Sequence, residues 1–247
     1  MSTEHSISCI SAASVMEHMP ADYEVFPIGI TRDGVWVEGT TDPVAGVALP
    51  EVPEGREVAL SINPTRKGLI FDVATGEELV HVDAVFPVLH GKYGEDGTVQ
   101  GLLELAGVPY VGPGVLASAC GMDKEYMKKL VAAEGIAITR EVILDGRSSL
   151  DDDERDYLGL PVFVKPANGG SSIGVSKVSD WADFAAAYAL ARESDEKVIV
   201  EAELVGDEVE IGVLERPDGT IAASVPAKLN GTEESAEGFY GFETKYL

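Results

Sequence analysis

The chain has 247 residues, enough for one large domain or two smaller ones, and its 45% hydrophobic content excludes a disordered chain. Its 43 acidic against 18 basic side chains give a formal net charge of -25, which excludes nucleic acid or an anionic membrane as main partner, since both need a basic footprint. Cys9 and Cys120 lie far apart and suggest neither disulfide framework nor metal cluster; with no signal peptide or bilayer-spanning apolar run, a reducing cytoplasm is the expected setting.

In chain order, MSTEHSISCISAASVMEHM places Ala12, Val15, Met16 and Met19 at i, i+3, i+4 and i+7, which predicts a helix with that stripe as its apolar face. A helix so close to Met1 is unusual for an α/β protein, where a strand normally feeds it. YEVFPIGI (23–30) predicts a strand, and residues 34–38 a second one after a turn at Asp33-Gly34. Residues 39–80 are punctuated by Pro, Gly and Glu; with weak β signals at 57–61 and 68–72 they read as an excursion on the first domain's edge. VDAVFPVL (82–89) predicts a buried strand entering the Gly-rich turn HGKYGEDG (90–97) and a helix over 98–106, an arrangement that sets ligands at a strand's C-terminal end. His90 and Glu95 belong to that edge; the plain alternative for His90 is an ordinary core or surface histidine.

VPYVGP (108–113) reads as a short strand. MDKEYMKKLVAAEG (122–135) predicts a helix with Asp123 in its first turn, Tyr126, Met127, Leu130 and Val131 as apolar face, and Gly135 as C-cap. Lys124 opposes the helix dipole there, which points to another partner for its ammonium group. Residues 136–144 predict a strand and 145–156 a polar, acidic connector.

The stretch richest in chemistry is VFVKPANGGSSIGVSKV (162–178). Val162, Phe163 and Val164 are strand formers, Pro166 ends the run, and Asn168, Gly169 and Gly170 tolerate positive φ. Ser171 and Ser172 add hydroxyls to a loop whose free N–H groups form an anion-binding concavity, with Lys165 as the matching charge. No GxxxxGK[ST] is present, and a tight hairpin without a ligand is the bland alternative. WADFAAAYALAR (181–192) predicts an amphipathic helix capped by Asp180. Strands follow at 198–206, 208–214 and 220–225, the last two joined at Asp218-Gly219. Glu201, inside an apolar strand, either faces water or serves a polar ligand.

Six blocks in order resemble a D-alanine–D-alanine ligase of the ATP-grasp superfamily: EHSISCISA, VFPVLHGKYGEDGTVQGLLELAGVPYVG, MDKEYMKKL, VFVKPANGGSSIGVSKV, VIVEAEL with GDEVEIGVLE, and FYGFETKYL. The resemblance implies an α/β (α+β) fold of ATP-grasp architecture: an N-terminal α/β domain over 1–112 lacking its first strand, a central α+β domain over 113–225, and over 226–247 the start of a mostly missing C-terminal domain with a lid loop. It implies that Lys124 and Lys165 hold ATP phosphates and that Gly170, Ser171 and Ser172 cover them. Glu201, Ala202 and Leu204 line the adenine, Glu208 accepts from the ribose, and Lys245 is a further nucleotide contact. Glu4, Ser171 and Tyr246 match a trio that orients the first D-alanine, with His90 in the same group, and Tyr246 favours the dipeptide over a D-alanine–D-lactate product. The Mg²⁺ ligands of the family lie beyond the lid, so no metal residue is assigned; a cytoplasmic homodimer in peptidoglycan synthesis is implied. The alternatives are a catalytically incomplete ATP- or D-alanine-binding fragment of such a ligase and a different ATP-grasp carboxylate–amine ligase.

Overall fold

A computed structural model describes residues 4–39 and 50–229. By contacts the chain separates into two compact units, Met1–Leu130 with Asn168–Gly170, and Val131–Ala167 with Ser171–Leu247.

The first unit opens with helix α1 (His5–Glu17), and its side chains correct the expected stripe. The buried residues are Ser6, Ile7, Ser8 and Cys9, all in the first turns, whereas Ala12, Val15, Met16 and Met19 are not fully buried. The helix is anchored at its start, where serines find partners, and not along one apolar line. Strands β1 (Ile28–Ile30) and β2 (Trp36–Glu38) form a hairpin whose turn uses Gly34 at φ 87. The weak β signals at 57–61 and 68–72 are strands, joined by one that was not expected: β3 (Val58–Leu60), β4 (Leu69–Asp72) and β5 (Glu78–His81) pair antiparallel in that order. A bridge between Val37 and Glu57 continues β2 toward β3. Val58, Leu60 and Ile70 then enclose a core with Val99, Leu103 and Ala106 of helix α2 (Thr98–Ala106) and with Val108. The strands are short and Gly/Pro-bounded, so their period-2 signal spans too few residues to stand out.

The strand expected at 82–89 is another correction. Val85 forms an isolated parallel bridge to Tyr110, Val82 N donates to Gly68 O at 3.0 Å, and Phe86 is 49% exposed. Pro87 has no N–H with which to extend the ladder. The helix expected over 122–135 is present as α4 (Lys124–Ala133), and a helix that was not expected, α3 (Val115–Met122), precedes it, with Asp123 between them in extended conformation. The buried residue of α4 is Lys128, while Tyr126 and Leu130 of the expected apolar face are more than half exposed.

The second unit is a four-stranded antiparallel sheet of β6 (Glu141–Leu144), β7 (Val162–Pro166), β8 (Ser176–Val178) and β9 (Val198–Ala202), in the order β6-β9-β7-β8. Because side chains alternate, one face carries Val142, Leu144, Val162, Val164, Val178, Val198, Val200 and Ala202. That face packs on helix α6 (Phe184–Ser194), where Phe184, Ala187 and Ala191 form the buried stripe, the two alanines being small enough for the helix to lie close. Asp180 caps the preceding turn, accepting from Ala182 N at 2.9 Å. The acidic connector contains an unexpected helix, α5 (Asp152–Leu158), started by an Asp151/Glu154 capping box and sealed by Leu158 in the core. Beyond β9, two exposed ribbons follow: β10 (Val209–Glu210) with β13 (Ala227–Lys228), and β11 (Val213–Glu215) with β12 (Ile221–Ala223).

Candidate functional site

The other face of the second unit's sheet carries the polar chemistry. Register places Phe163 opposite both Lys177 and Glu201, Lys165 opposite Ile199, and Glu141 opposite Glu201. Lys165 forms an ion pair with Glu201, their side chains 23% and 12% exposed. A second pair joins Lys177 Nζ to Glu203 Oε1 at 2.5 Å, and Lys177 also lies 5.9 Å from the Phe163 ring centroid. Glu201 is thus the strand carboxylate facing a cation, which removes the penalty that its place in an apolar strand raised. Ala202 ends β9, while Leu204 just beyond it is 77% exposed and Glu208 is exposed.

Between β7 and β8 the loop runs through the left-handed region repeatedly: Gly169 at φ 148, Ser171 at 51, Ser172 at 58 and Gly174 at 72. Two consecutive serines there are costly for L-residues, and such conformations cluster where a backbone must present its N–H groups. A Cβ on Gly174 would stand 3.2 Å from Ser194 Oγ.

In the first unit, Lys124 opens α4 and donates from Nζ to Gly169 O at 2.7 Å, so the cation that opposes the helix dipole has a carbonyl partner. Asp123 bridges Asn168 and accepts from Glu125 N at 3.0 Å and Tyr126 N at 3.3 Å, capping the helix that Lys124 begins. Gly170 faces Glu4: a Cβ there would stand 3.0 Å from Glu4 Oε1, and Glu4 itself is only 3% exposed. Asp96, Cys120, Asp123, Tyr126 and Asn168 line an adjoining cleft.

His90 is fastened to α1 twice: its N–H donates to Ser8 Oγ at 2.8 Å, and its Nε2 lies 2.8 Å from Ser11 Oγ. Ser8 and Ser11 were not singled out from sequence; their i, i+3 spacing, which puts both on one helix face, was the available signal. Glu95 serves its own turn, accepting from Gly91 N at 2.6 Å. Asp96 accepts from Tyr93 N at 2.8 Å and Thr98 N at 3.0 Å. Burial pushes the Asp96 carboxyl up, yet those donors outweigh it and hold the group below its ordinary value.

The first unit therefore gathers Glu4, Lys124 and Gly170, with His90 on the same helix as Glu4 through its serines. The second gathers Lys165 and Glu201 and carries Ser171 and Ser172. Lys245 and Tyr246 lie outside the described residues. Among the described residues, no three of His, Cys, Asp and Glu are grouped to hold a metal ion, and no helix is long and apolar enough to cross a membrane.

A lysine-ended strand, a Gly/Ser loop and an acidic neighbouring strand over a helix-backed antiparallel sheet define an α+β fold of the ATP-grasp class. Solved structures agree. The chain is similar to the D-alanine-D-alanine ligase from Coxiella burnetii (TM-score 0.78, 30% identity, 93% of this chain and 68% of that one). It is also similar to the VanG D-Ala:D-Ser ligase from Enterococcus faecalis (TM-score 0.75, 34% identity, 92% and 66%). Residues 1–113 match the family described as D-ala D-ala ligase N-terminus, and residues 129–247 the one described as D-ala D-ala ligase C-terminus. The D-alanine–D-alanine ligase of Corynebacterium diphtheriae is 61% identical over 252 residues, and that of Rhodococcus opacus 56% over 258. The whole of this chain aligns with each and spans 68% and 70% of their lengths. The chain belongs to the D-alanine–D-alanine ligase family, whose members are ADP-forming ligases.

Proposed function

We propose that this protein joins two D-alanines into D-alanyl-D-alanine for peptidoglycan synthesis, driven by ATP, as a cytoplasmic homodimer. The reaction proceeds by phosphorylation of one D-alanine carboxylate to an acylphosphate, which the amine of the second D-alanine attacks with release of phosphate. The observation that carries this reading is the left-handed Ser171–Ser172 backbone in the second unit, in the loop that follows the strand bearing Lys165.

In this reading Lys124 and Lys165 hold ATP phosphates, and Gly170, Ser171 and Ser172 present N–H and hydroxyl donors over them. Phosphoryl transfer needs such cationic, preorganised clamps more than covalent help. Glu201, Ala202 and Leu204 border the adenine, Glu208 accepts from the ribose, and Lys245 adds a nucleotide contact. Glu4, Ser171 and Tyr246 orient the first D-alanine with His90 beside them. The burial of Glu4 suits that role, because a carboxylate removed from water binds an ammonium group more strongly. Lys165 and Glu201 exchange each other for a phosphate and an adenine amine when nucleotide enters. The domains of the reading are 1–112, 113–225 and a lid-bearing segment from 226. Mg²⁺ would neutralise charge on the transferred group. The described residues offer no ligand set for it, so no residue is assigned and no step is routed through it.

The test is coupled ADP release by the purified chain with ATP, Mg²⁺ and D-alanine. Turnover with D-alanine and none with L-alanine is expected. Turnover with another amino-acid pair but not D-alanine overturns the substrate, and nucleotide binding without any turnover overturns catalysis by this chain.

A further inference from the structure

The residues just after Glu4 make a connection that the ligase reading leaves unused. His5 Nε2 lies 3.3 Å from Val52 N, whose N–H must be the donor, so this nitrogen is an acceptor and the ring is neutral. Cys9 Sγ, one helical turn along, lies 3.9 Å from the same Nε2. Beside this contact Arg32 Nε donates to Glu51 Oε1 at 2.6 Å, and Arg32 also reaches Ser6 Oγ at 3.5 Å. The Val52 side chain lies so close over β1 that a Cβ on Gly29 would stand 2.5 Å from Val52 Cγ1. Glu51 and Val52 thus form a strap across the first turn of α1. The strap holds the turn next to Glu4 together with Ser8, whose Oγ donates to Glu4 O at 3.3 Å and accepts from His90 N–H at 2.8 Å.

We propose that His5 is a positioning residue: as a neutral acceptor for Val52 N–H it fastens the strap over the first turn of α1 and so fixes the Glu4 carboxylate beneath Gly170. Protonation turns Nε2 into a donor facing another donor, and the fastening is lost. The charged and titratable groups around the ring are Arg32, Glu51 and Cys9. Burial lowers the tendency of His5 to protonate, Arg32 lowers it further, and Glu51 opposes both. Burial raises the Cys9 thiol, with Arg32 opposing, so it stays uncharged beside the ring. The fastening is therefore complete above the ordinary histidine value of about 6.5 and is released as pH falls below it.

That Glu4 binds D-alanine rests on the function proposed above, so the test separates the two. In the full chain, the His5 ring nitrogens are read by NMR and the protection factor of the Val52 amide by hydrogen exchange. The expected result is an unprotonated Nε2 at pH 7.5 and Val52 protection that falls as His5 titrates. His5→Ala should remove that protection, and His5→Gln, which keeps an acceptor that cannot titrate, should retain it at all pH values. His5→Ala should also weaken D-alanine binding about fivefold, the worth of one neutral hydrogen bond, with ATP binding unchanged. Equal Val52 protection in wild type and His5→Ala, with both folded by circular dichroism, overturns the strap. Loss of protection with D-alanine binding unchanged overturns the link to Glu4. If wild type binds no D-alanine, the substrate reading of Glu4 falls while the Val52 amide still decides the strap.

Discussion

Lys165→Met keeps the length and apolar stem of the side chain but takes the Lys165 ammonium away from Glu201, which is only 12% exposed. The loss of a hydrogen bond to a charged group costs about 1.5–3 kcal/mol. A carboxylate that loses a cation can instead take up a proton, which from an ordinary glutamate value of about 4.3 limits the penalty at pH 7 to about 3.7 kcal/mol. Lys165 is itself 23% exposed, so water screens part of the pair, and about 2 kcal/mol is expected, roughly 30-fold in the folding equilibrium. The proton limit tightens as pH falls, and at pH 5 it allows no more than about 1 kcal/mol. Urea unfolding followed by far-ultraviolet circular dichroism at pH 7 and pH 5 measures both values. Adding Glu201→Gln removes the charge that Lys165 balanced and should recover most of the loss at pH 7. A deficit of 2 kcal/mol at both pH values, or a double variant less stable than Lys165→Met, would refute the reasoning.

Three further outcomes are expected. Gly68→Ala places a Cβ 2.3 Å from Val82 O at φ +71, so it should cost more than about 1 kcal/mol, seen as a lower thermal midpoint; an unchanged midpoint would contradict the turn geometry. Leu158→Ala, at a residue 1% exposed in the second unit's core, should cost about 2–5 kcal/mol in urea unfolding, whereas Leu105→Ala, at 68% exposed, should stay within about 0.5 kcal/mol. Asp72 is held at about 2 by Arg56, with Thr75 assisting, below its ordinary 3.8. Its contribution is therefore whole above that value and lost as pH falls from 3.8 toward 2, and Arg56→Gln should move acid unfolding of the first unit to higher pH.

Signals confined to a few adjacent residues were legible in the sequence. The hairpin over 162–178, the helix at 98–106 and the Asp180 cap each rest on local propensity or punctuation, and the structure has all three. Lys124 was legible as a conflict with the helix dipole, and its bond to the Gly169 carbonyl explains how that conflict is met. What escaped depends on partners distant in sequence. The strands β3 to β5 gain their burial from α2, so from composition β3 and β4 showed only weakly and β5 not at all. The first turn of α1 is buried through Ser6, Ser8 and Cys9, which no hydrophobic period announces. The α5 start had a readable Asp-x-x-Glu pattern, but the surrounding run of acids hid it.

The two-faced sheet of the second unit bears on how this chain tolerates changes of length. In β7, Val162, Val164 and Pro166 point into the core while Phe163 and Lys165 point away from it. Inserting or deleting one residue between Val162 and Lys165 would invert every later side chain, driving the lysine into the valine layer and the valines out. A change of one residue at the tip of the exposed Arg216–Gly219 turn inverts nothing that is packed. Insertion scanning should therefore find a sharp dead zone a few residues wide at β7, with tolerance returning at that turn. For this family member, strand phase constrains the spacing between Pro161 and Pro166 as firmly as the identity of the lysine itself.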